Sequence, residues 1–133
     1  MLSCGQTFIA PVTSKATEHL WIILTDPNEQ GKAVCVNVSS RKSSCPDLTL
    51  LLNVGDHPFI TRPSFVYYAE AAFLDLSLVE QLIKHNSTRI NCKAHAAVKG
   101  ELLKKIRDGL VRSKQTPNDI KAYCKSLWNN SPG

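Results

Sequence analysis

The sequence has no apolar stretch that could cross a bilayer. Its longest strongly apolar segments, 20–24 and 48–52, span five residues each, against the roughly twenty a membrane helix needs. The N-terminal Met1-Leu2-Ser3-Cys4-Gly5-Gln6 lacks the positive region and following apolar run of a secretory leader. A soluble, cytoplasmic protein without membrane contact is therefore expected. Cysteine is present but does not form an even, closely spaced framework: Cys4, Cys35, Cys45, Cys92 and Cys124 are odd in number and scattered, which reads as reduced thiols. There is no Gly-rich phosphate loop, no Gly-x-Ser-x-Gly elbow and no His-Glu-x-x-His helix. Cys92-Lys93-Ala94-His95 has a spacing zinc can use, and Cys45 with His57 could complete four ligands, but no second tight pair accompanies it. No metal or other cofactor is expected.

What is there is an ordinary globular composition, 43% hydrophobic and 20% charged over 133 residues, which excludes intrinsic disorder and fits a single domain spanning 1–133. The net charge of +5 is unevenly spread. Residues 1–74 hold five basic and six acidic side chains, whereas 75–133 hold eleven basic and five acidic ones. Such asymmetry suggests an anionic partner, or else a solvated lysine-rich surface.

The first 75 residues read as strands at 6–10, 19–25, 33–39, 48–52, 65–68 and 71–76, separated by turn clusters at 26–31, 39–44 and 53–58. Within 33–38 the apolar Val34, Val36 and Val38 face one way and Ala33, Cys35 and Asn37 the other. Short strands with no helix between them predict a meander closing into a small barrel over 1–75. After residue 76 the period changes, and a helical part over 76–133 is expected to pack on that barrel. Ser77-Leu78-Val79-Glu80 reads as a capping box opening a helix to about His85. A second helix is expected from about Ala96 to Ser113, with Val98, Leu102, Ile106 and Leu110 as its stripe and Lys99, Lys104, Lys105, Arg107 and Arg112 mostly off it. Gly100 and Gly109 should weaken it by about 1 kcal/mol each relative to Ala. Thr116-Pro117-Asn118-Asp119 reads as the cap of a third helix, with Pro117 at its first position. The fold class is thus mainly β (α+β): a small barrel followed by three C-terminal helices.

The chemistry-bearing residues cluster in the strand ends and turns. His19 opens a strand, Ser39 and Ser40 close the next, His57 sits in a Gly55-Asp56-His57-Pro58 turn, and Arg41, Arg62, Ser64, Tyr67 and Tyr68 lie nearby in sequence. Strand ends are where a small barrel gathers polar groups on one rim. Imidazoles titrate near neutrality and suit proton transfer, while hydroxyls and a guanidinium can hold a phosphate. His19 or His57 could serve as base and acid. Equally, His57 could be a turn residue bonding its neighbours' backbone, and His19 an edge or core histidine.

Strand 19–25, the Asp26-Pro27 turn, strand 33–40 and the Gly55-Asp56-His57-Pro58 segment resemble the MazF/PemK-type toxins of bacterial type II toxin–antitoxin systems over roughly residues 5–75. The resemblance implies a small barrel of the Src-homology-3-like kind and a metal-independent, homodimeric endoribonuclease neutralised by an antitoxin. The family's Pro-Ile-Thr strand end matches Asn37-Val38-Ser39, with Ser40 adjoining. Its N-terminal glycine and apolar strand match Gly5-Gln6-Thr7-Phe8-Ile9. Its Arg-Pro falls on His19-Leu20, so a histidine stands where typical members have the catalytic arginine, and the three C-terminal helices exceed what the family normally carries. The expectation is a toxin-like endoribonuclease with His19, His57, Ser39 and Ser40 in catalysis. Arg41, Arg62, Ser64, Tyr67 and Tyr68 would hold substrate, and Lys104, Lys105, Arg107 and Arg112 would meet RNA or an acidic antitoxin. The alternative is a non-catalytic module that binds nucleic acid or a partner protein.

Overall fold

The computed structural model describes residues 2–11, 18–41, 43–85, 92–98 and 100–129; Lys99, included in the basic set above, lies outside them. The elements in chain order are β1 (Thr7–Pro11), β2 (Glu18–Ile23), β3 (Lys32–Ser40), β4 (Leu51–Leu52), β5 (Ser64–Asp75), α1 (Leu76–His85), β6 (Lys93–His95), α2 (Gly100–Arg112) and α3 (Asn118–Asn129). The six strands form one curled antiparallel sheet, a half-barrel in the order β4-β5-β3-β2-β1-β6, and the three helices make the fold mixed α+β. No helix among the described residues is long and apolar enough to cross a membrane.

Local chemistry explains the central hairpin. Between β2 and β3, the Asn28 side chain accepts the amides of Gln30 and Lys32. The Asn28 amide donates to Lys32 O at 2.8 Å, and Gly31 sits at φ +76°, a left-handed conformation that suits glycine. The alternation read in β3 then divides the interior in two. Val34, Val36 and Val38 join Leu20, Ile22, Val66 and Tyr68 against Ile106 and Leu110 of α2 and Ile120 and Cys124 of α3. Ala33 and Cys35 join Phe8, Trp21 and Ile23 against Leu76 and Val79 of α1. Each fully buried Val, Leu or Ile contributes about 1.5–3 kcal/mol, so β3, buried on both faces from Ala33 to Val38, is the centre of the fold.

Several boundaries differ from the sequence expectation. The strands expected at 65–68 and 71–76 are one twelve-residue strand, β5, which stays paired to β3 across a register shift between Cys35 and Asn37. The expected strand 48–52 shrinks to two residues. Asp47 accepts the amide of Thr49 and the hydroxyl of Ser113 (2.9 and 2.8 Å), drawing that segment to the end of α2 instead. The sheet is not confined to residues 1–75, because β6 adds to the edge of β1. The cap of α1 is Asp75, whose Oδ1 accepts the amides of Ser77 and Leu78, while Glu80, the other half of the expected capping box, accepts the amide of Leu2. Helix α2 starts at Gly100 and not Ala96, since the backbone of 96–98 is bonded to other parts of the chain. Thr116 donates to Leu110 O at 2.7 Å, sealing the end of α2 rather than capping α3.

Gly109 has a reason that helix propensity hides. The Tyr68 hydroxyl donates to Ile106 O at 2.7 Å, and a Cβ at Gly109 would meet that hydroxyl oxygen at 2.1 Å and the ring carbon bearing it at 2.8 Å. Gly109→Ala is therefore expected to destabilise the protein by about 1–3 kcal/mol through overpacking, against the roughly 1 kcal/mol gain that propensity alone assigns. Denaturant unfolding of the two proteins measures the sign.

Candidate functional site

Antiparallel pairing brings the start of β2, the end of β3 and the start of β5 to one end of the sheet, with Ser40 directly opposite Ser64. An open cavity of about 530 Å3 lies there, lined by Glu18, His19, Val38, Ser39, Ser40, Pro58, Phe59, Ile60, Thr61, Arg62, Ser64 and His95. Five of the residues singled out in the sequence (His19, Ser39, Ser40, Arg62 and Ser64) thus share one recess, although they are spread over 46 positions of chain.

His19 is half-buried, with Nδ1 3.1 Å from Val38 O and 3.4 Å from the Ser39 hydroxyl oxygen. A carbonyl only accepts, so Nδ1 carries the proton and Nε2 keeps its lone pair in the neutral ring. Protonation adds a proton at Nε2 and leaves the Val38 bond in place. Ser64 is buried and donates to Arg62 O at 2.9 Å, which shapes the turn that carries the exposed Arg62. Ser40 is exposed at the end of β3.

His57 is placed differently from the expected catalytic group. It is 4% exposed, Nδ1 accepts the Phe59 amide at 3.0 Å, and Nε2 donates to Ala96 O at 2.6 Å. Both ring nitrogens are engaged by backbone groups, one of them within its own turn. Burial lowers its pKa; the Ala96 bond opposes that shift, and neighbouring His95 adds to it. The bond to Ala96 spans the two edges of the sheet, joining the 53–63 connection after β4 to the residue after β6.

Tyr68 also leaves the site. It is 0% exposed, its hydroxyl serves Ile106 O, and burial pushes its pKa up. Tyr67 is half-buried with its ring 5.2 Å from that of Phe65, and it does not line the cavity. Arg41 is exposed outside the lining, its amide donating to Pro63 O. Conversely, the cavity includes His95, noted in the sequence only as half of a zinc-spaced pair, together with Thr61 and Glu18. The signal available for His95 was the short alternating segment that became β6, but nothing local says which edge it joins.

The expected basic set lies on α2, away from this cavity. Lys104, Lys105 and Arg112 are exposed, while Arg107 is half-buried with its guanidinium 4.4 Å from the centre of the Trp128 ring. Glu101 and Asp108 alternate with these cations at three- and four-residue spacing, which moderates the field of that face. Among the described residues no group of three or more His, Cys, Asp or Glu side chains is placed to hold a metal ion. The buried thiols are poor nucleophiles: burial pushes Cys35 up strongly and Cys124 up to about 12.

The lowered pKa of His57 has a stability consequence of definite sign. Folding favours the neutral ring, so the unfolded chain takes up the extra proton as pH falls through the ordinary value of 6.5. His57's contribution is therefore present above pH 6.5 and declines below it, down to the depressed folded value, at no more than about 1.4 kcal/mol per pH unit. His57→Gln, which keeps an N–H donor without titrating, is expected to flatten this acid-side decline in urea unfolding measured from pH 8 to pH 5. No family model, curated protein or solved structure matches this chain, so the reading of the cavity rests on its own residues.

Proposed function

We propose that the chain is a toxin-like, metal-independent endoribonuclease, with the cavity at the strand ends as its phosphodiester site. The observation that carries this reading is the meeting of His19, its Nδ1 proton held by Val38 O, with Ser39, Ser40, Ser64 and Arg62 around one open recess. In this reading His19 Nε2 removes the proton of a ribose 2′-hydroxyl. The 2′-oxygen bonds to the adjacent phosphorus, the bond from phosphorus to the 5′-oxygen breaks, and the departing oxygen takes a proton from solvent admitted by the open cavity. Arg62 pairs with the phosphate charge and the hydroxyls of Ser39 and Ser40 orient it. The curled antiparallel sheet supports the Src-homology-3-like comparison implied by the resemblance. An acidic antitoxin and a second copy of the chain are the protein partners that go with it.

His57 belongs to the scaffold in this scheme and Tyr68 to the core, so the acid–base work moves to His19. His19→Gln should lower RNA cleavage by roughly 10²–10⁴ with the melting temperature little changed. Cleavage by the unaltered protein should survive EDTA. Undiminished cleavage by His19→Gln, or loss in EDTA restored by a divalent ion, overturns the scheme.

One observation favours the non-catalytic alternative: the exposed Lys104, Lys105 and Arg112 lie on α2 and not in the cavity. If that face grips single-stranded RNA, Lys104→Glu with Lys105→Glu should reduce the slope of log affinity against log salt by roughly 0.7 per lost phosphate contact. An unchanged slope makes α2's charge a solvated surface and leaves the cavity as the RNA contact.

A further inference from the structure

Three of the four histidines are tied to one another or to the cavity, and their hydrogen bonds assign each ring a different job. The Phe59 amide donates to His57 Nδ1 at 3.0 Å, so the His57 proton sits on Nε2, which donates to Ala96 O at 2.6 Å. Thr7 donates its hydroxyl to the same oxygen at 2.7 Å. The Ala96 amide in turn donates to His95 Nδ1 at 2.8 Å. A nitrogen that accepts carries no proton, so neutral His95 bears its hydrogen on Nε2. Ring contacts hold the arrangement in place: the His95 centroid is 5.0 Å from that of His57 and 6.1 Å from that of Phe59. His57 thus holds the carbonyl of Ala96, and the amide on the other side of the same Cα faces His95.

His95 lines the same cavity as His19, and the two rings are set in opposite tautomers. His19 keeps its proton on Nδ1 for Val38 O and has a lone pair at Nε2, whereas His95 has an N–H there. We propose that His95 is a hydrogen-bond donor of the cavity, holding a non-bridging phosphoryl oxygen through Nε2–H, and that His57 is the positioning residue that sets His95 in this tautomer through Ala96. The inference rests on reading the cavity as a phosphodiester site and adds a division of labour to it. A ring whose Nδ1 faces an amide N–H is a poor proton acceptor on that side, because protonation would oppose two N–H groups. It is well suited to give a neutral hydrogen bond to an anion. His19, facing a carbonyl, is in the opposite tautomer, with its lone pair at Nε2.

The experiment is long-range 15N–1H correlation on the full chain at pH 7.5, with inorganic phosphate and then a non-cleavable 2′-deoxydinucleotide as probes. His95 and His57 should show the Nε2–H tautomer and His19 the Nδ1–H tautomer, and both probes should move the His95 Nε2 resonance. His95→Leu should weaken phosphate binding by about tenfold or more, while His95→Gln, which retains a donor, should recover most of it. His57→Phe should erode the tautomer preference of His95, and His57→Gln should preserve it. If His57→Phe does not fold, the His95 pair and the spectra of the unaltered protein still decide. His95 in the Nδ1–H or doubly protonated form, or an Nε2 resonance that phosphate leaves unmoved, overturns the inference whether or not RNA is cleaved. Tautomers and phosphate shifts as stated, in a protein that leaves RNA intact, uphold His95 as an anion donor and remove the endoribonuclease reading.

Discussion

The seam of the curled sheet is the constraint on which the other features depend. A six-stranded sheet in the order β4-β5-β3-β2-β1-β6 has two edges, and open edges leave backbone donors and acceptors unpaired. Here the edge strands are only two and three residues long, and the gap between them is clasped by one side chain, His57, donating from the connection after β4 to Ala96 after β6. Thr7 reinforces the same carbonyl from β1, and Val98 bonds back to Gly5. An imidazole suits this clasp because it is long, rigid and two-ended: one nitrogen fixes its own turn and the other reaches the far edge.

The curl of the sheet also shapes the recess at the strand ends. With both faces of β3 covered by apolar side chains and helices, little polar chemistry can sit in the middle of the sheet. The strand ends are different. There the curl leaves a recess walled by the 58–64 segment on one side and β6 on the other, and polar side chains that would be costly in the core are hydrated. His57 does not itself line the recess, but Pro58 to Arg62, which follow it, and His95, which precedes the Ala96 it bonds, do, so the clasp that closes the seam also holds two of the recess walls. Substituting His57 therefore affects both the seam and the recess.

Identical side-chain chemistry takes on different roles here through backbone context alone. His19 faces a carbonyl, His95 faces an amide, and His57 faces one of each. Those partners decide which nitrogen is protonated, and with it whether a ring can accept a proton, donate a neutral hydrogen bond or do neither toward solvent. Tyr67 and Tyr68 make the same point for hydroxyls. Adjacent in sequence, they point to opposite faces of β5, one half-exposed against Phe65 and the other drawn into the core, where Gly109 leaves room for it.

The sequence by itself determined a strand-rich first part with mostly helices after it, the two opposed faces of β3 from its alternation, the turn at Gly31 and the helical faces of α2 and α3. All of these are local, following from the two-residue and 3.6-residue periods and from glycine and proline chemistry. It also brought His19, Ser39, Ser40, Arg62 and Ser64 under suspicion, since strand ends can be located from strand periods. Tertiary structure alone decided the rest. No local pattern says that 93–95 would pair with β1, that Asp75 rather than Ser77 would cap α1, or that Thr116 would close α2. In each case packing elsewhere in the chain selects between competing partners. The roles of His57 and His95 lie beyond sequence for a related reason: the amides that face their Nδ1 atoms are local, but only the curl of the sheet brings His57 to Ala96 O and His95 into the cavity.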